Sequence, residues 1–265
     1  MTHSRVLQKL RNGEVVKTVG ICRVVEPWFT ELVGYFGFDQ IWLDLEHRAF
    51  GEEVIDPLSL ACRAAGIDLM VRVRKSGYDS PMRALEFGAN GIMVPHCRSV
   101  AEARQWVDWC RFPPLGKRGM DGAGSDARYG LDNPLDYLKH ANRETFLALQ
   151  IEDREAVDAA DEIAAVEGVD LLFVGPGDLS ISYGVPMQMN HPHMLRALDR
   201  VSEAVAKAGK WWGTTSGTPE AAQQMVDRGA RMITCGVDHN FLLLGLKQAS
   251  QEFAQVAVTA ASGKA

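Results

Sequence analysis

The chain has 265 residues, with 28 Lys and Arg against 34 Asp and Glu, for a formal net charge of -6. One α/β barrel takes roughly 250 residues, so residues 1–265 fit a single domain that can bury a full core without staples. The acid excess argues against a nucleic-acid surface, and no apolar run reaches the roughly 18 residues of a membrane span.

The N-terminal MTHSRVLQKLRNGEVV has no apolar run of signal-peptide length, so the cytoplasm is the expected compartment. RNGEVVKTVG reads as a turn into a first strand at 16–22. Further strands are expected at 40–44, 68–73 and 91–95, then at 145–152, 170–175, 210–215 and 231–237. They are nearly continuous apolar stretches, as strands covered on both faces should be. Between them run amphipathic segments such as PWFTELVGYFG, EEVIDPLSLACRAAG and SPMRALEFGAN, each closing on Gly or Asn. VAEARQWVDWCRF, DREAVDAADEIAAVEG, HMLRALDRVSEAVAKAG and TPEAAQQMVDRGA keep the rhythm, and HNFLLLGLKQASQEFAQVAV is the last expected helix. Eight strands each followed by a helix predict a (β/α)8 TIM barrel. An open doubly wound sheet would show a glycine-rich loop after its first strand, where this chain has ICRVVEP.

The stretch at 112–143, rich in Gly, Asp and Arg, is too long for an ordinary connection. It starts on the face opposite the strand ends and must pack locally or wrap upward. Residues 116–130 could cradle an anion through backbone N–H groups or serve as a surface or subunit contact.

Barrel chemistry sits at the C-terminal ends of the strands, so polar residues there are the candidates. Glu152 and Asp178 end adjacent strands and suit a hard divalent ion, Mg²⁺ or Mn²⁺, with Co²⁺ or Zn²⁺ also compatible with carboxylate oxygens. Without a metal, two converging acids repel and one pKa rises; capping or pairing with arginine is the structural alternative. Arg72 interrupts an apolar strand and offers a planar fork for a carboxylate or enolate oxygen, with Arg74 a competitor on the same face. A barrel ion pair with Glu46 or Glu152 is its plainer reading. His47 is the acid–base candidate, with Asp44 placed to orient it and His96 a second choice. Asp238 reads as the N-cap of the last helix. Lys75 offers only a weak case for a Schiff base. The cysteines, Cys22, Cys62, Cys97, Cys110 and Cys235, form no CxxC pair and indicate neither a disulfide framework nor a thiolate metal site.

Taken in order, IWLDLEHRAF, LMVRVRKSGYDSPMRALEFGANGIMVP, RFPPLGKRGMDGAGSDARYG, LQIEDREAVDAADEIAAVEGVDLLFVGPGDLS and GVDHNFLLLGL span nearly the whole chain. This collinear set resembles the HpcH/HpaI aldolase family of class II pyruvate-dependent aldolases. The resemblance implies reversible cleavage of 4-hydroxy-2-oxo acids to pyruvate, or a close 2-oxo acid, and an aldehyde through a metal-stabilised enolate. It implies that Glu152 and Asp178 bind the metal, that Arg72 holds pyruvate, and that His47 with Asp44 transfers protons. Gln150 and Gly177 would line the 2-oxo acid site beside Asp178. It also implies a homo-hexamer, a trimer of dimers with the last helix exchanged between barrels. RAF after His47, Arg74, Lys75, KWWGTTSGTPE and CGVDHN depart from the family pattern. They leave the metal and enolate residues intact and bear on the acceptor aldehyde, with the added positive charge favouring an anionic one. An acyl-CoA ester lyase of the malyl-CoA or citryl-CoA type, and a non-catalytic barrel binding a metal–carboxylate ligand, are the alternative readings.

Overall fold

The computed structural model describes residues 3–254 and 256. Eight parallel strands close into a barrel in sequence order. They are β1 (Val16–Ile21), β2 (Gln40–Asp44), β3 (Asp68–Arg72), β4 (Gly91–Val94), β5 (Phe146–Ile151), β6 (Leu171–Val174), β7 (Trp211–Thr215) and β8 (Met232–Val237). β8 returns to pair with β1, with Val16 opposite Met232. The (β/α)8 expectation holds, each strand falling inside its predicted range.

Twelve α-helices accompany the strands among the described residues. The first half holds α1 (Arg5–Arg11), α2 (Pro27–Tyr35), α3 (Ile55–Ala65), α4 (Asp79–Glu86), α5 (Val100–Cys110) and α6 (Pro134–Glu144). The second holds α7 (Arg154–Asp158), α8 (Ala160–Ala164), α9 (Pro176–Ser182), α10 (Pro192–Ala208), α11 (Pro219–Asp227) and α12 (Asp238–Phe253). None is long and apolar enough to cross a membrane.

Three helices were not expected from sequence: α1, α6 and the short α9. α1 lies before the first strand and buries Val6, Leu7 and Leu10 against Val16, Phe146 and Leu171, plugging the floor of the barrel. Its start is fastened by the buried Asp68, whose carboxylate accepts the Ser4 hydroxyl at 2.5 Å and the Val6 N–H at 2.9 Å. Inside the long connection, Asn133 caps α6 by accepting N–H bonds from Leu135 and Asp136, with Pro134 following it. The rest of that connection packs locally along α4. Ser125 N–H meets the Glu86 carbonyl at one end of α4, and Gly119 N–H meets the Tyr78 hydroxyl at the other.

Side chains alternate in and out along each strand. The inward set includes Trp42, Met70, Met93, Ala148 and Phe173, and the outward set, including Leu43, Val71 and Ile92, packs under the helices. The inward pattern brings Asp44, Arg72 and Gln150 to the top of the interior, in register with Asp44 opposite Arg72. α12 departs from the pattern. Only Asp238 of this helix is buried, while Leu242, Leu243, Leu244 and Leu246 are exposed. α11 also has no buried residue, and a cleft lined by Val15, Ala222, Val226 and Ile233 lies where an eighth outer helix belongs.

Candidate active site

β5 carries Gln150 inward, and Glu152 follows just beyond the strand. The Glu152 side chain is 3% exposed. Its Oε1 accepts from Gln150 Nε2 at 3.0 Å and its Oε2 accepts the His96 N–H at 3.1 Å. Burial pushes the Glu152 carboxyl up to about 7, the nearby Asp178 adds to the rise, and His96 and Arg72 oppose it. The rise expected for converging acids is present, but desolvation is its main source.

The end of β6 makes room for Glu152. A Cβ on Gly175 would stand 2.1 Å from Glu152 Oε1 and 2.6 Å from its Cγ. Gly175→Ala is therefore expected to displace Glu152 and weaken divalent-cation binding at least about tenfold. Calorimetric titration of the metal-free variant checks this, and unchanged affinity would remove Gly175 from the site. Asp178 is exposed in the first turn of α9.

A ring nitrogen of His96 and carboxylate oxygens of Glu152 and Asp178 lie within 4.8 Å of one another. Two carboxylates, one of them dry and held above its ordinary range, fit a divalent cation, which would relieve both the burial cost and the repulsion. A second cluster, Cys22, Asp238 and His239, is equally compact. There the buried Asp238 is already engaged. Its Oδ2 accepts N–H groups from Cys22, Arg23 and Val24 at 3.0, 2.6 and 2.6 Å, and its Oδ1 accepts the His239 N–H at 2.7 Å. Asp238 thus ties β1 to β8, and the N-cap position of α12 belongs to Val237.

Arg72 faces the carboxylates from β3. Nε and Nη2 fork onto Asp44 at 3.0 and 2.9 Å, and Nη1 lies 3.1 Å from Glu46 and donates to Gln150 Oε1 at 3.4 Å. The guanidinium sits 4.9 Å from the Trp42 ring. Burial pushes the Asp44 carboxyl up, but Arg72 and the His47 and Glu46 N–H groups more than offset this and hold it below the usual carboxylate range. Polar contacts therefore run without a break from Asp44 through Arg72 and Gln150 to Glu152.

His47 stands apart from that row. Its ring is 54% exposed, with Nε2 3.6 Å from Glu46 Oε2. Asp44 reaches the His47 backbone N–H at 3.3 Å, while its carboxylate is clamped by Arg72, so Asp44 orients the arginine. Gly177 faces open space, since a Cβ there would meet nothing within 4 Å. Arg74 is spent on the carbonyls of Arg48 and Phe50, and Lys75 on Glu102 and the His96 carbonyl. Neither offers a free charge to an acceptor in this arrangement. Sequence reasoning gave no part to Trp42 or Gly175. Trp42 carried a signal, two residues before Asp44 on the same strand face.

The profile of the HpcH/HpaI aldolase/citrate lyase family matches residues 24–243. The 4-hydroxy-4-methyl-2-oxoglutarate aldolase of Hapsidospora irregularis is 33% identical over 257 residues, covering 94% of each chain. The hydroxypyruvate/pyruvate aldolase of Pseudomonas aeruginosa is 31% identical over 252 residues, 94% of this chain and 92% of that protein. The crystal structure of an HpcH/HpaI aldolase from Desulfitobacterium hafniense superposes with a TM-score of 0.91 at 28% identity, covering 97% of this chain and 99% of that one. A barrel mouth with these polar groups, matched by sequence and by shape over nearly its whole length, belongs to the HpcH/HpaI aldolase/citrate lyase family.

Proposed function

We propose that this chain is a divalent-metal-dependent aldolase, a carbon–carbon lyase that cleaves 4-hydroxy-2-oxo acids to pyruvate, or a close 2-oxo acid, and an aldehyde. The observation that carries the reading is the row from Arg72 through Gln150 to the Glu152 and Asp178 carboxylates. Glu152 and Asp178 would hold the cation, which when bound supplies Lewis-acid stabilisation of charge on the keto oxygen. Arg72 donates to the same developing charge, its fork preset by Asp44 and Trp42. The open space at Gly177 admits the 2-oxo acid beside Asp178, and Gln150 fixes both Arg72 and Glu152.

His47 serves as the proton carrier. It takes the proton from the C4 hydroxyl as the C3–C4 bond breaks, the aldehyde leaves, and the bonding pair remains on C3 as the enolate. A proton delivered to C3 gives the methyl group of pyruvate, and condensation is the reverse. The test is deuterium uptake into the methyl group of pyruvate, followed by proton NMR. EDTA-stripped protein is supplied in turn with Mg²⁺, Mn²⁺, Co²⁺ and Zn²⁺. Metal-dependent exchange is expected, and its absence with every ion, with and without an aldehyde present, overturns the reading.

The assembly proposed with this activity is a pair of barrels exchanging α12, three pairs making a hexamer. The exposed leucines of α12, the cleft beside α11, and exposed Trp28 and Leu32 on α2 with Phe36 just past its end support it. Introducing Leu243→Glu together with Leu246→Glu is expected to give monomers in sedimentation velocity. Oligomers that persist at low micromolar concentration would refute the exchange.

A further inference from the structure

We propose that His96 is a third protein ligand of the cation held by Glu152 and Asp178, so that the site prefers a first-row transition ion to Mg²⁺. The proposal rests on the metal reading above. His96 follows β4 with φ at +47°, in the left-handed region that a non-glycine residue rarely occupies.

The backbone around His96 is pinned on every side. Its N–H donates to Glu152 Oε2 at 3.1 Å, its carbonyl accepts from Lys75 Nζ at 3.0 Å, and the next N–H, of Cys97, donates to the Gln150 carbonyl at 3.1 Å. This bracing holds an unfavourable conformation whose visible result is an imidazole turned toward the two carboxylates.

The ring has the partner that a metal-binding histidine needs. Nδ1 lies 3.1 Å from Asp153 Oδ2 and 3.8 Å from Glu152 Oε2. Asp153 is itself held by Arg98 Nε at 2.9 Å. A carboxylate that accepts one ring N–H fixes the tautomer and leaves the other nitrogen with its lone pair. Nδ1 faces both Asp153 and Glu152, so it binds the ion in place of Asp153, or keeps Asp153 while Nε2 turns to the ion. With a ring nitrogen already within 4.8 Å of both carboxylates, an ion between them lies within reach of the ring. An imidazole donor beside two carboxylates favours Mn²⁺, Co²⁺ or Zn²⁺, whereas Mg²⁺ prefers an all-oxygen shell. A plain ion pair with Asp153 is the competing role for His96.

Electron spin-echo spectroscopy of the Mn²⁺-loaded protein decides between them. Wild-type protein is expected to bind one Mn²⁺ per chain, lost in Glu152→Gln, with a nitrogen coupling that changes when the histidines are labelled with ¹⁵N. That labelling arm uses the unaltered protein and so does not depend on a variant folding. His96→Asn, which tolerates the left-handed backbone, is expected to abolish the coupling. It should also weaken Co²⁺ binding about tenfold or more, with little change for Mg²⁺. Stoichiometric Mn²⁺ that depends on Glu152 but shows no histidine coupling overturns the His96 proposal and leaves the carboxylate site standing. Wild-type protein that binds no Mn²⁺ overturns both.

Discussion

Replacing Glu152 with glutamine is expected to lower metal-dependent proton exchange at the pyruvate methyl group by about 10³-fold or more, at unchanged helix content. Glutamine matches glutamate in shape, so packing against Gly175 survives, while the charge that would hold the cation is gone. The buried carboxyl also sets a pH dependence. In the metal-free protein it sits at about 7, against an ordinary glutamate value of 4.5. A cation takes only the carboxylate form, so apparent affinity should fall about tenfold per pH unit below 7 and level off above it. Stability follows the same linkage. The folded value is raised, so the contribution is fully present below 4.5 and is lost as pH rises through about 7. Its size is on the order of 3 kcal/mol. Metal-free wild-type protein should thus lose stability between pH 5 and 8 relative to Glu152→Gln, and saturating metal should restore it. Parallel denaturation profiles for the two proteins would sink this account.

Arg72 gives the second large effect. Arg72→Lys keeps a charge but loses the planar fork, and exchange should drop about 10²- to 10³-fold. Arg72→Ala does more, because Asp44 and Glu46 lose their shared counter-ion in a buried setting. Removing one partner of a buried pair costs about 3–5 kcal/mol. The sign with pH is opposite to that of Glu152. Asp44 is held below its ordinary 3.8, so its pairing stabilises the fold above that value and fades as pH falls through the lower folded value. Chemical denaturation at pH 7 should separate the variants, alanine far below lysine. If Arg72→Ala matched wild type in both stability and exchange, the Asp44–Arg72–Gln150 row would have no role.

The eight strands were legible because parallel strands, buried on both faces, are written as short apolar runs, told from helices by their length and by the breakers that bound them. α1 was missed because RVLQKLR makes only two turns, and its burial under the barrel depends on Asp68, far along the chain. α6 carried its Asn133-Pro134 signal but lay inside a glycine-rich stretch that read as loop. At the site, Glu152 and Asp178 stood out as charges at the ends of apolar strands, and Arg72 as one interrupting a strand. What each touches did not, since those contacts cross between strands. The fork of Arg72 on Asp44, the space that Gly175 leaves for Glu152, and the bracing of His96 follow from register and backbone geometry that spacing does not encode.

The carboxylate of Asp238 on the first strand's exit has a consequence for how the molecule comes into being. It joins positions 214 to 216 residues apart, and bringing such distant segments together costs about 5 kcal/mol in loop-closure entropy. During synthesis the outer edge of β1 has no partner until β8 is made, so an open sheet with a bare edge precedes the ring. Closure cannot precede the making of the last strand. Asp238, which satisfies three N–H groups of the first strand's exit at once, acts as a clasp, with its benefit arriving only after the last strand has docked.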